Sequence, residues 1–438
     1  MTDSAASDQT LLVVGAGVSG MTAALEAAEF GKNVILLETR AWLGGLPRQL
    51  TPDLPAHTGP GRFRPDLVLE NLEQRAHEAE DGGHLKVLTQ VEVLSVEPDS
   101  GSYTVKVRQN PRFVNERCTA CGACADAVEA EFDDEFNNGF MGSRRKGAYL
   151  PHPHAFPRRY MLDPRIIGTE DARRAADACR EDAVDPDQQA TEFSLRVGAI
   201  IWATGAHPYS AKTLTAYGYE HRADVISSDE FEHMAAKTGP TGGRIVRPSD
   251  GAAVRDVAFV QCAGSRDLNH LRHCSGTCCT ATLRQARRVL DTWSPDDTGA
   301  ITIYHTDIRI SGESETLLSD TRSREGVRFI RSKVSTIDEG TDGRLICRGV
   351  NTEGGQGYEN AHDLVVLAVG MQPRAPGIEL PDGTHPDADG FMHMDEPTRG
   401  IFPAGTASEP LDMEQSARNA TAAAMRAIEW LAQQHRAR

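Results

Sequence analysis

Residues 10–38 read TLLVVGAGVSGMTAALEAAEFGKNVILLE, and this stretch decides the fold class. An apolar run ends at Gly15, an alanine-rich segment follows Gly20, and a second apolar run ends at Glu38. With Gly17 between them, the glycines have the spacing G-x-G-x-x-G, and an acid follows about twenty residues later. The stretch predicts a strand, a glycine turn, a helix and a second strand, which together begin a doubly wound parallel sheet.

Each part of this motif has a chemical reason in a dinucleotide site. Gly15 permits the turn, Gly17 lets the backbone approach a pyrophosphate, and Gly20 lets helix and strand pack closely. The helix N-terminus favours phosphate, and the Glu38 carboxylate can accept hydrogen bonds from ribose hydroxyls. A purely structural glycine turn is the alternative. It is disfavoured because further turn residues follow in order, namely Gly44, Gly45, Thr204, Gly205 and Gly405.

The order of these positions resembles the FAD-binding half of flavoproteins that have two dinucleotide-binding domains. The resemblance implies that FAD is bound between the N-terminal glycine motif and the closing turn GIFPAGT, residues 400–406. That superfamily commonly has Asp after the glycine of the closing turn, whereas Thr406 stands there in this chain. A threonine hydroxyl still forms hydrogen bonds, so the expectation of FAD is retained.

Length and charge narrow the class of protein. The chain has 438 residues, 39% of them hydrophobic, which is enough for globular domains of enzyme size. Its net charge of -17 disfavours nucleic acid or an anionic lipid surface as the main partner. There is no run of about eighteen apolar residues, and the start, MTDSAASDQT, has no export signal. A cytoplasmic protein is expected, in which nine cysteines are ligands or redox groups rather than disulfides.

Four of these cysteines, Cys262, Cys274, Cys278 and Cys279, lie where a second domain would bind a nicotinamide nucleotide. The turn after the apolar strand VAFVQ reads CAGSR, with one glycine where three are wanted, so a pyrophosphate would have poor backbone access. The four thiols could hold a four-iron cluster or zinc, form a disulfide, or stay unliganded. Adjacent cysteines suit one tetrahedral ion poorly, so the pattern favours a 4Fe–4S cluster.

A second group of cysteines lies nearer the N-terminus. Cys118, Cys121 and Cys124 read CTACGAC, the first three ligands of the bacterial ferredoxin run C-x2-C-x2-C-x3-C-P. Val128 takes the fourth position, and no proline follows it. The candidate fourth ligand is Cys179, in a segment that resembles the second half of a ferredoxin. Structural zinc and an empty remnant are the alternatives. The ninth cysteine, Cys347, is predicted to be a buried small hydrophobe.

The combination resembles the A-type flavin subunits of heterodisulfide reductases. More narrowly, CTACGAC, KGAYLPHPHAFPRRYMLDP, GPTGGRIVRPSDG and AFVQCAGSRDLNHL resemble the A-type flavin subunits of quinone-interacting membrane-bound oxidoreductase complexes. The resemblance implies an electron-transfer subunit with FAD and two 4Fe–4S clusters. It also implies three partners: a second flavin and iron–sulfur subunit, a haem-carrying membrane subunit, and adenylylsulfate reductase. Peripheral membrane association through the partner subunits is implied as well.

Three other functions remain open from the residues. One is the flavin subunit of a soluble heterodisulfide reductase-like complex, and another is a scaffold with structural clusters. The third is an NAD(P)H-dependent flavoprotein disulfide reductase using Cys278 and Cys279, which the missing second phosphate turn disfavours. No catalytic residue is predicted. A basic group in the insertion suggests either a docking face or a solvated surface, with the second preferred: Arg144, Arg145, Lys146, Arg158 and Arg159.

The predicted fold class is therefore an α/β flavoprotein with two Rossmann-like dinucleotide-binding domains and a ferredoxin-like iron–sulfur insertion. Residues 85–107 are predicted to form an antiparallel meander. The predicted segments are 1–109, 190–250 and 376–438 for the FAD-binding domain, 110–189 for the insertion, and 251–375 for the second domain with its cysteine site.

Overall fold

A computed structural model describes residues 8–50, 65–294, 298–310, 314–381, 383–394 and 399–437. Residues 1–7, which carry most of the start from which no export signal is predicted, lie outside this range. Two five-stranded parallel sheets form the framework of the described chain, and smaller antiparallel sheets pack on them.

The elements follow in chain order. The helices are α1 (Val18–Glu29), α2 (Gly45–Leu50), α3 (Pro65–Asp81), α4 (Ala123–Ala127), α5 (Glu170–Asp177), α6 (Ser228–Ala235), α7 (Cys278–Thr292), α8 (Ser314–Arg322) and α9 (Met413–Ala437). The first strands are β1 (Leu11–Val14), β2 (Val34–Glu38), β3 (Leu85–Thr89), β4 (Val91–Asp99), β5 (Ser102–Gln109), β6 (Glu131–Asp133), β7 (Arg144–Lys146), β8 (Ala148–Tyr149), β9 (Met161–Leu162), β10 (Thr191–Val197), β11 (Ala199–Trp202) and β12 (Ala206–Pro208). The later strands are β13 (Val225–Ser227), β14 (Asp256–Ala263), β15 (Ala300–His305), β16 (Val327–Arg331), β17 (Val334–Glu339), β18 (Leu345–Asn351), β19 (Gln356–His362), β20 (Leu364–Val369), β21 (Met371–Pro373), β22 (Thr384–Pro386), β23 (Met392–Met394) and β24 (Ile401–Pro403).

The first sheet has the order β24-β11-β1-β2-β3, and all neighbouring strands are parallel. Residues of β1 alternate between two cores: Leu11 and Val13 pack under α1, α3 and α9, whereas Leu12 and Val14 pack under β4, β5 and β10. Because both faces of the sheet are covered, its central strands are apolar throughout. The predicted meander is wrong in one part, since β3 pairs in parallel with β2 and only β4 and β5 are antiparallel.

The second sheet has the order β13-β20-β14-β15-β16, again parallel. Helices α6 and α7 cover one face, and the antiparallel sheet β17-β18-β19 covers the other. Strand β13 lies within residues 190–250, which were assigned to the FAD-binding domain. That assignment is corrected here, because Val225 pairs with Val365 of β20 and so places β13 in the second sheet. The antiparallel pair β12 and β21 joins the two domains.

The insertion has a small core of its own. Two hairpins, β6-β7 and β8-β9, and the short helices α4 and α5 surround this core. Val128, at the fourth position of the ferredoxin run, is 1% exposed and belongs to that core. The residue that replaces the expected cysteine therefore serves packing.

The insertion contacts both large domains at one place, which we call the three-part junction. Its residues are Trp42 of the first domain, Phe136 and His152 of the insertion, and His233 of the second domain. The ring of Phe136 lies 5.9 Å from that of Trp42, 4.8 Å from that of His152 and 6.2 Å from that of His233. The amide of Gln49 also donates to the Phe136 carbonyl at 2.9 Å. These contacts fix the insertion against both domains.

Gly20 provides a test of the packing between α1 and the glycine turn. A Cβ atom there would lie 1.7 Å from the Gly15 carbonyl oxygen, so we expect Gly20→Ala to destabilise the protein by about 1–3 kcal/mol. Gly354→Ala is the matched control, because a Cβ atom there meets nothing within 4 Å. Urea denaturation of the flavin-free proteins measures both effects. Equal stability of the two variants would contradict this account of the packing.

Candidate cofactor sites

The N-terminal glycines differ in what the fold requires of them. Gly15 has φ of 101°, and a Cβ atom on it would lie 2.4 Å from the Ala203 carbonyl oxygen. Gly17 has an ordinary φ of -75°, and a Cβ atom there would meet only the Cα of Gly45, at 3.8 Å. The fold thus explains Gly15 but leaves an open cradle beside Gly17, at the N-terminus of α1. Such a cradle suits a pyrophosphate.

Gly44 and Gly45 hold a second loop directly against this turn. The Gly44 amide donates to the Ala16 carbonyl at 2.8 Å, and Gly44 forms an isolated bridge with Gly17. Gly45 has φ of 61°, and a Cβ atom on it would lie 2.9 Å from the Gly17 Cα. The two loops form one continuous backbone surface, as the approach of a dinucleotide requires.

Besides its predicted contact with ribose, Glu38 has a structural role in the protein. One carboxylate oxygen accepts from the Ala16 amide and the other from the Arg40 amide, both at 2.9 Å. The carboxylate therefore ties the glycine turn to the end of β2. A carboxylate has about four acceptor positions, so hydrogen bonds from ribose hydroxyls remain compatible with these two.

The other predicted turn residues lie across from one another. A Cβ atom on Gly205 would lie 3.8 Å from the Thr406 hydroxyl, and the Thr204 hydroxyl donates to the Arg374 carbonyl at 3.5 Å. Gly405 has φ of 63°, and a Cβ atom on it would lie 1.9 Å from the Ser19 hydroxyl. The structure therefore brings the closing turn beside the start of α1 and beside Gly205.

Sequence reasoning missed two arginines beside this site. Burial, followed by the positive charge of Arg374, lowers the pKa of Arg40. The Arg374 amide donates to the Gly205 carbonyl at 3.0 Å, and Arg40 stands two residues after Glu38. The two guanidinium groups beside the cradle repel each other, and an anionic pyrophosphate between them would offset this repulsion. Spacing gave no signal for this pair, because its members are far apart in the sequence.

The first cysteine set lines one small cavity. Cys118, Cys121, Cys124 and Cys179 all contribute to its wall, and Cys121 is exposed to solvent. The Ala120 amide donates to the Cys118 sulfur at 3.4 Å, and the Ala183 amide donates to the Cys179 sulfur at 3.3 Å. Cys179 thus lies with the triplet, although it is far from Cys124 in the sequence. This donor set fits an iron–sulfur cluster.

Without a bound metal, the buried Cys124 thiol of this set holds its proton. Burial, with a smaller effect of Cys118, raises the pKa of Cys124 to about 11. Burial, followed by the charge of Cys124, raises the pKa of Tyr160 as well. Cysteine binds iron as the thiolate, so the residues of this set would have to give up their thiol protons to hold a cluster.

The second cysteine set lies at the carboxyl ends of the second sheet. Cys262 is the last residue but one of β14, with φ of 56°, and its sulfur is 3.8 Å from the Thr306 hydroxyl. Cys278 and Cys279 begin α7. The Cys279 sulfur accepts from the Arg309 amide at 3.4 Å, and the Cys278 thiol donates to the Val369 carbonyl at 3.4 Å.

The four thiols of the second set influence one another. Burial raises the pKa of Cys278 to about 12, with further increases from Cys262, Cys279 and Cys274. The bond from Cys278 to the Val369 carbonyl exists only in the thiol form, because a thiolate cannot donate. A metal ligand at this position would therefore have to give up that bond.

This set occupies the place of a second nucleotide-binding turn. The one glycine of the turn, Gly264, faces the ring of Tyr209, whose Cδ1 would lie 2.8 Å from a Cβ atom. The Tyr209 ring therefore fills the space that an open cradle would leave. Cysteine side chains, rather than small residues, begin the following helix, and the arrangement disfavours a nicotinamide nucleotide.

The second set also lies at the boundary with the first domain. A Cβ atom on Gly276 would lie 3.6 Å from the carbonyl oxygen of Pro410, which follows the closing turn. The His273 ring is 5.0 Å from the Phe391 ring. The Ser275 hydroxyl accepts from the Met371 amide at 2.8 Å. The loop of the second set therefore contacts segments that return to the FAD-binding domain.

Within the described chain, no group of three or more His, Cys, Asp or Glu side chains is arranged to hold one metal ion. Zinc requires sulfurs that converge at about 2.3 Å from one point, whereas cluster ligands bind separate irons. The described residues also contain no helix that is long and apolar enough to cross a membrane.

Three members of the basic group of the insertion pair with acids of the insertion. Arg144 pairs with Asp133 at 2.7 Å, Arg145 with Asp163 at 2.9 Å, and Lys146 with Glu131 at 3.4 Å. These contacts favour the solvated surface over a basic docking face. In the same insertion, burial lowers the pKa of His152 to about 3, which suits a packing role in the three-part junction.

Comparisons with known proteins agree with this geometry. Residues 10–100 match the family described as FAD dependent oxidoreductase. The chain is 35% identical to an A-type iron–sulfur subunit of the CoB–CoM heterodisulfide reductase of Methanopyrus kandleri, over 96% of this chain and 64% of the relative. It is 33% identical to the A-type subunit of the ferredoxin:CoB–CoM heterodisulfide reductase of Methanosarcina mazei, over 98% of this chain and 54% of the relative. The chain is a homologue of the A-type subunits of heterodisulfide reductases. It spans about half to two thirds of the length of these relatives.

Solved structures confirm the predicted fold class for this homologue. Thioredoxin reductase of Lactococcus lactis superposes with a TM-score of 0.52 at 16% identity, covering 97% of this chain and 99% of that one. Thioredoxin reductase of T. acidophilum gives 0.51 at 14% identity, covering 96% and 98%. These similarities concern the fold of two Rossmann-type domains, to which the heterodisulfide reductase homologue adds a cysteine-rich insertion. The match at residues 10–100 and the reductase names of the relatives agree with an oxidoreductase that uses FAD.

Gly17 tests the FAD cradle separately from folding. We expect Gly17→Leu to keep its fold, because the position is open and φ is ordinary, but to bind FAD at least about tenfold more weakly, equivalent to about 1.4 kcal/mol. The FAD-to-protein ratio and the urea midpoint of the flavin-free protein are the two measurements. Full FAD occupancy in a folded Gly17→Leu protein would remove this site.

Cys347 tests the assignment of the cysteine outside both sets. It is 0% exposed in β18, and burial raises its pKa to about 12. In metal-free protein at about pH 8 we expect iodoacetamide to modify the exposed Cys121 quickly and Cys347 only after unfolding. Mass spectrometry of timed samples measures this order. Early labelling of Cys347 would contradict its burial.

Proposed function

We propose that this chain is the FAD and iron–sulfur electron-transfer subunit of a quinone-linked complex that exchanges electrons with adenylylsulfate reductase. Its partners in this proposal are a haem-carrying membrane subunit, together with a second subunit that holds flavin and iron–sulfur groups. The chain would be cytoplasmic and associated with the membrane through those subunits. The observation that carries the proposal is that one chain combines an open glycine cradle with two separate cysteine sets.

In this proposal the cofactors bind at three separate sites. Gly17, with Arg40 and Arg374 nearby, would hold the FAD pyrophosphate, and Glu38 would orient the ribose. The first set, with exposed Cys121, lies near solvent and would face a redox partner. The second set, at the domain boundary, would lie on the side of the flavin. When bound, FAD supplies two-electron chemistry, and the clusters carry single electrons.

The narrower assignment to a quinone-linked complex rests on the sequence phrases of the insertion and the second set. The names of the homologues favour a second candidate, the flavin subunit of a soluble heterodisulfide reductase-like complex. Anaerobic purification from the native host distinguishes the two. Co-purification of a haem-carrying membrane chain supports the quinone-linked complex, and a soluble complex without such a chain contradicts it.

An NAD(P)H-dependent disulfide reductase is disfavoured by the second domain. Tyr209 fills the space at the single glycine of the turn, and Cys278 and Cys279 are adjacent, so that a disulfide between them would be strained. Rapid bleaching of the isolated flavoprotein by NADH or NADPH would overturn this ranking.

Iron content tests the assignment of the cysteines. Two 4Fe–4S clusters predict about eight irons and eight acid-labile sulfides per FAD in anaerobic protein. We expect Cys278→Ser to lose about half of this iron, because an alkoxide is a poorer iron ligand, and Cys347→Ser to lose none. Iron and sulfide assays with FAD absorbance measure the ratios. Nearly full iron in Cys278→Ser, or loss in Cys347→Ser, would show that the sets are wrongly divided.

A further inference from the structure

Buried polar groups without partners surround the second cysteine set. The hydroxyls of Ser265 and Thr282 and both polar atoms of the Gln261 side chain have no hydrogen-bond partner among the described residues. The three side chains belong to residues that are 3%, 1% and 5% exposed, respectively. Buried polar groups in native proteins are almost always hydrogen-bonded. The two hydroxyls and the Gln261 Nε2 are donors, so a group that accepts hydrogen bonds would satisfy them.

Ser265 lies among the ligand loops of the second set. It follows Cys262 by three residues, and its amide donates to the Cys262 carbonyl at 3.1 Å. A Cβ atom on Gly370 would lie 2.0 Å from the Ser265 hydroxyl and 2.8 Å from the Ser275 hydroxyl. Cys278 donates to the carbonyl of the residue before Gly370. The unpartnered hydroxyl of Ser265 is therefore close to both halves of the cysteine set.

Thr282 lies one helical turn after the adjacent cysteines. Cys279 and Thr282 are three residues apart on the buried face of α7. Helical side chains point toward the N-terminus of their helix, so the Thr282 hydroxyl is directed toward the turn that carries the two cysteines. Gln261 directly precedes Cys262 in β14. The two elements that carry cysteines of the set, β14 and α7, therefore also carry buried donors without partners.

Thr282 also departs from the usual behaviour of a helical threonine. Such a hydroxyl normally donates to the carbonyl four residues back. Thr321 of α8 donates to Leu317 at 2.7 Å, and Thr421 of α9 donates to Ala417 at 3.2 Å. Thr282 makes no such bond in the described structure, and its hydroxyl is available to another acceptor.

We propose that the hydroxyls of Ser265 and Thr282 donate hydrogen bonds to the cluster of the second cysteine set and raise its reduction potential. The inference rests on the proposed function, which puts a cluster there. Thiolate and sulfide sulfurs accept hydrogen bonds, and these bonds help to set the potential of a cluster. The reduced cluster carries one more negative charge and gains more from each donor. The two hydroxyls therefore favour the reduced state.

The first cysteine set has different hydrogen-bond surroundings, so its cluster can serve as an internal reference for the measurement. The sulfurs of Cys118 and Cys179 accept hydrogen bonds from backbone amides. Among the described residues, none of those that line the cavity of the first set has a buried side-chain polar atom without a partner. Side-chain substitutions near the second set should therefore leave the first cluster unchanged.

The experiment is a redox titration followed by electron paramagnetic resonance on anaerobic holoprotein. Thr282→Val and Ser265→Ala should each shift the midpoint potential of the second cluster to a more negative value, with full iron content and an unchanged first cluster. Thr282→Ser keeps the hydroxyl and should restore the wild-type potential. Thr321→Val is the matched control, because that hydroxyl is buried but bonded within α8. The signal lost in Cys278→Ser identifies the second cluster.

The outcomes separate this inference from the proposed function. Full iron with unchanged potentials in both Thr282→Val and Ser265→Ala would overturn the inference alone. Wild-type protein without iron at the second set would overturn the proposed function and the inference with it. If Thr282→Val fails to fold, Ser265→Ala, a substitution by a smaller side chain in a loop, tests the same shift independently.

Discussion

The rest of the molecule depends on a close approach between backbone segments at the N-terminal glycine turn. Helix α1 lies so near the Gly15 carbonyl that no side chain fits at Gly20, and the turn itself abuts the Ala203 carbonyl. This contact sets the distance between α1 and the first sheet, and it brings the end of β11 beside the end of β1. The open cradle at Gly17 exists because its neighbours are held so tightly.

The two domains share one architecture but present different chemistry at the carboxyl ends of their strands. In the first domain the backbone itself is the binding surface, with two arginines beside it. In the second domain the corresponding turn is longer and carries thiols, and Tyr209 covers Gly264 at its start. The same sheet geometry that leaves an open glycine cradle in one domain therefore places a sulfur-rich loop in the other. The pair β12 and β21 brings these two edges together.

The sequence predicted the fold class and the glycine turn because both depend on local spacing. It failed where pairing is long-range: β3 joins the parallel sheet, and β13 belongs to the second domain, and neither fact has a local signal. The assignment of Cys179 to the triplet rested on a resemblance, because spacing alone cannot show that distant residues lie together. Partnerless hydroxyls such as that of Thr282 are invisible in a sequence, because only the folded environment shows that a partner is absent.

The three-part junction has a thermodynamic consequence. Phe136 contacts a ring of each large domain. Moving the insertion away from one domain therefore also disturbs its contact with the other. Opening of any one part exposes apolar surface of all three, and this links their stabilities. The chain is therefore expected to behave as one cooperative unit, in which the spacing between its redox sites is a property of the native state as a whole.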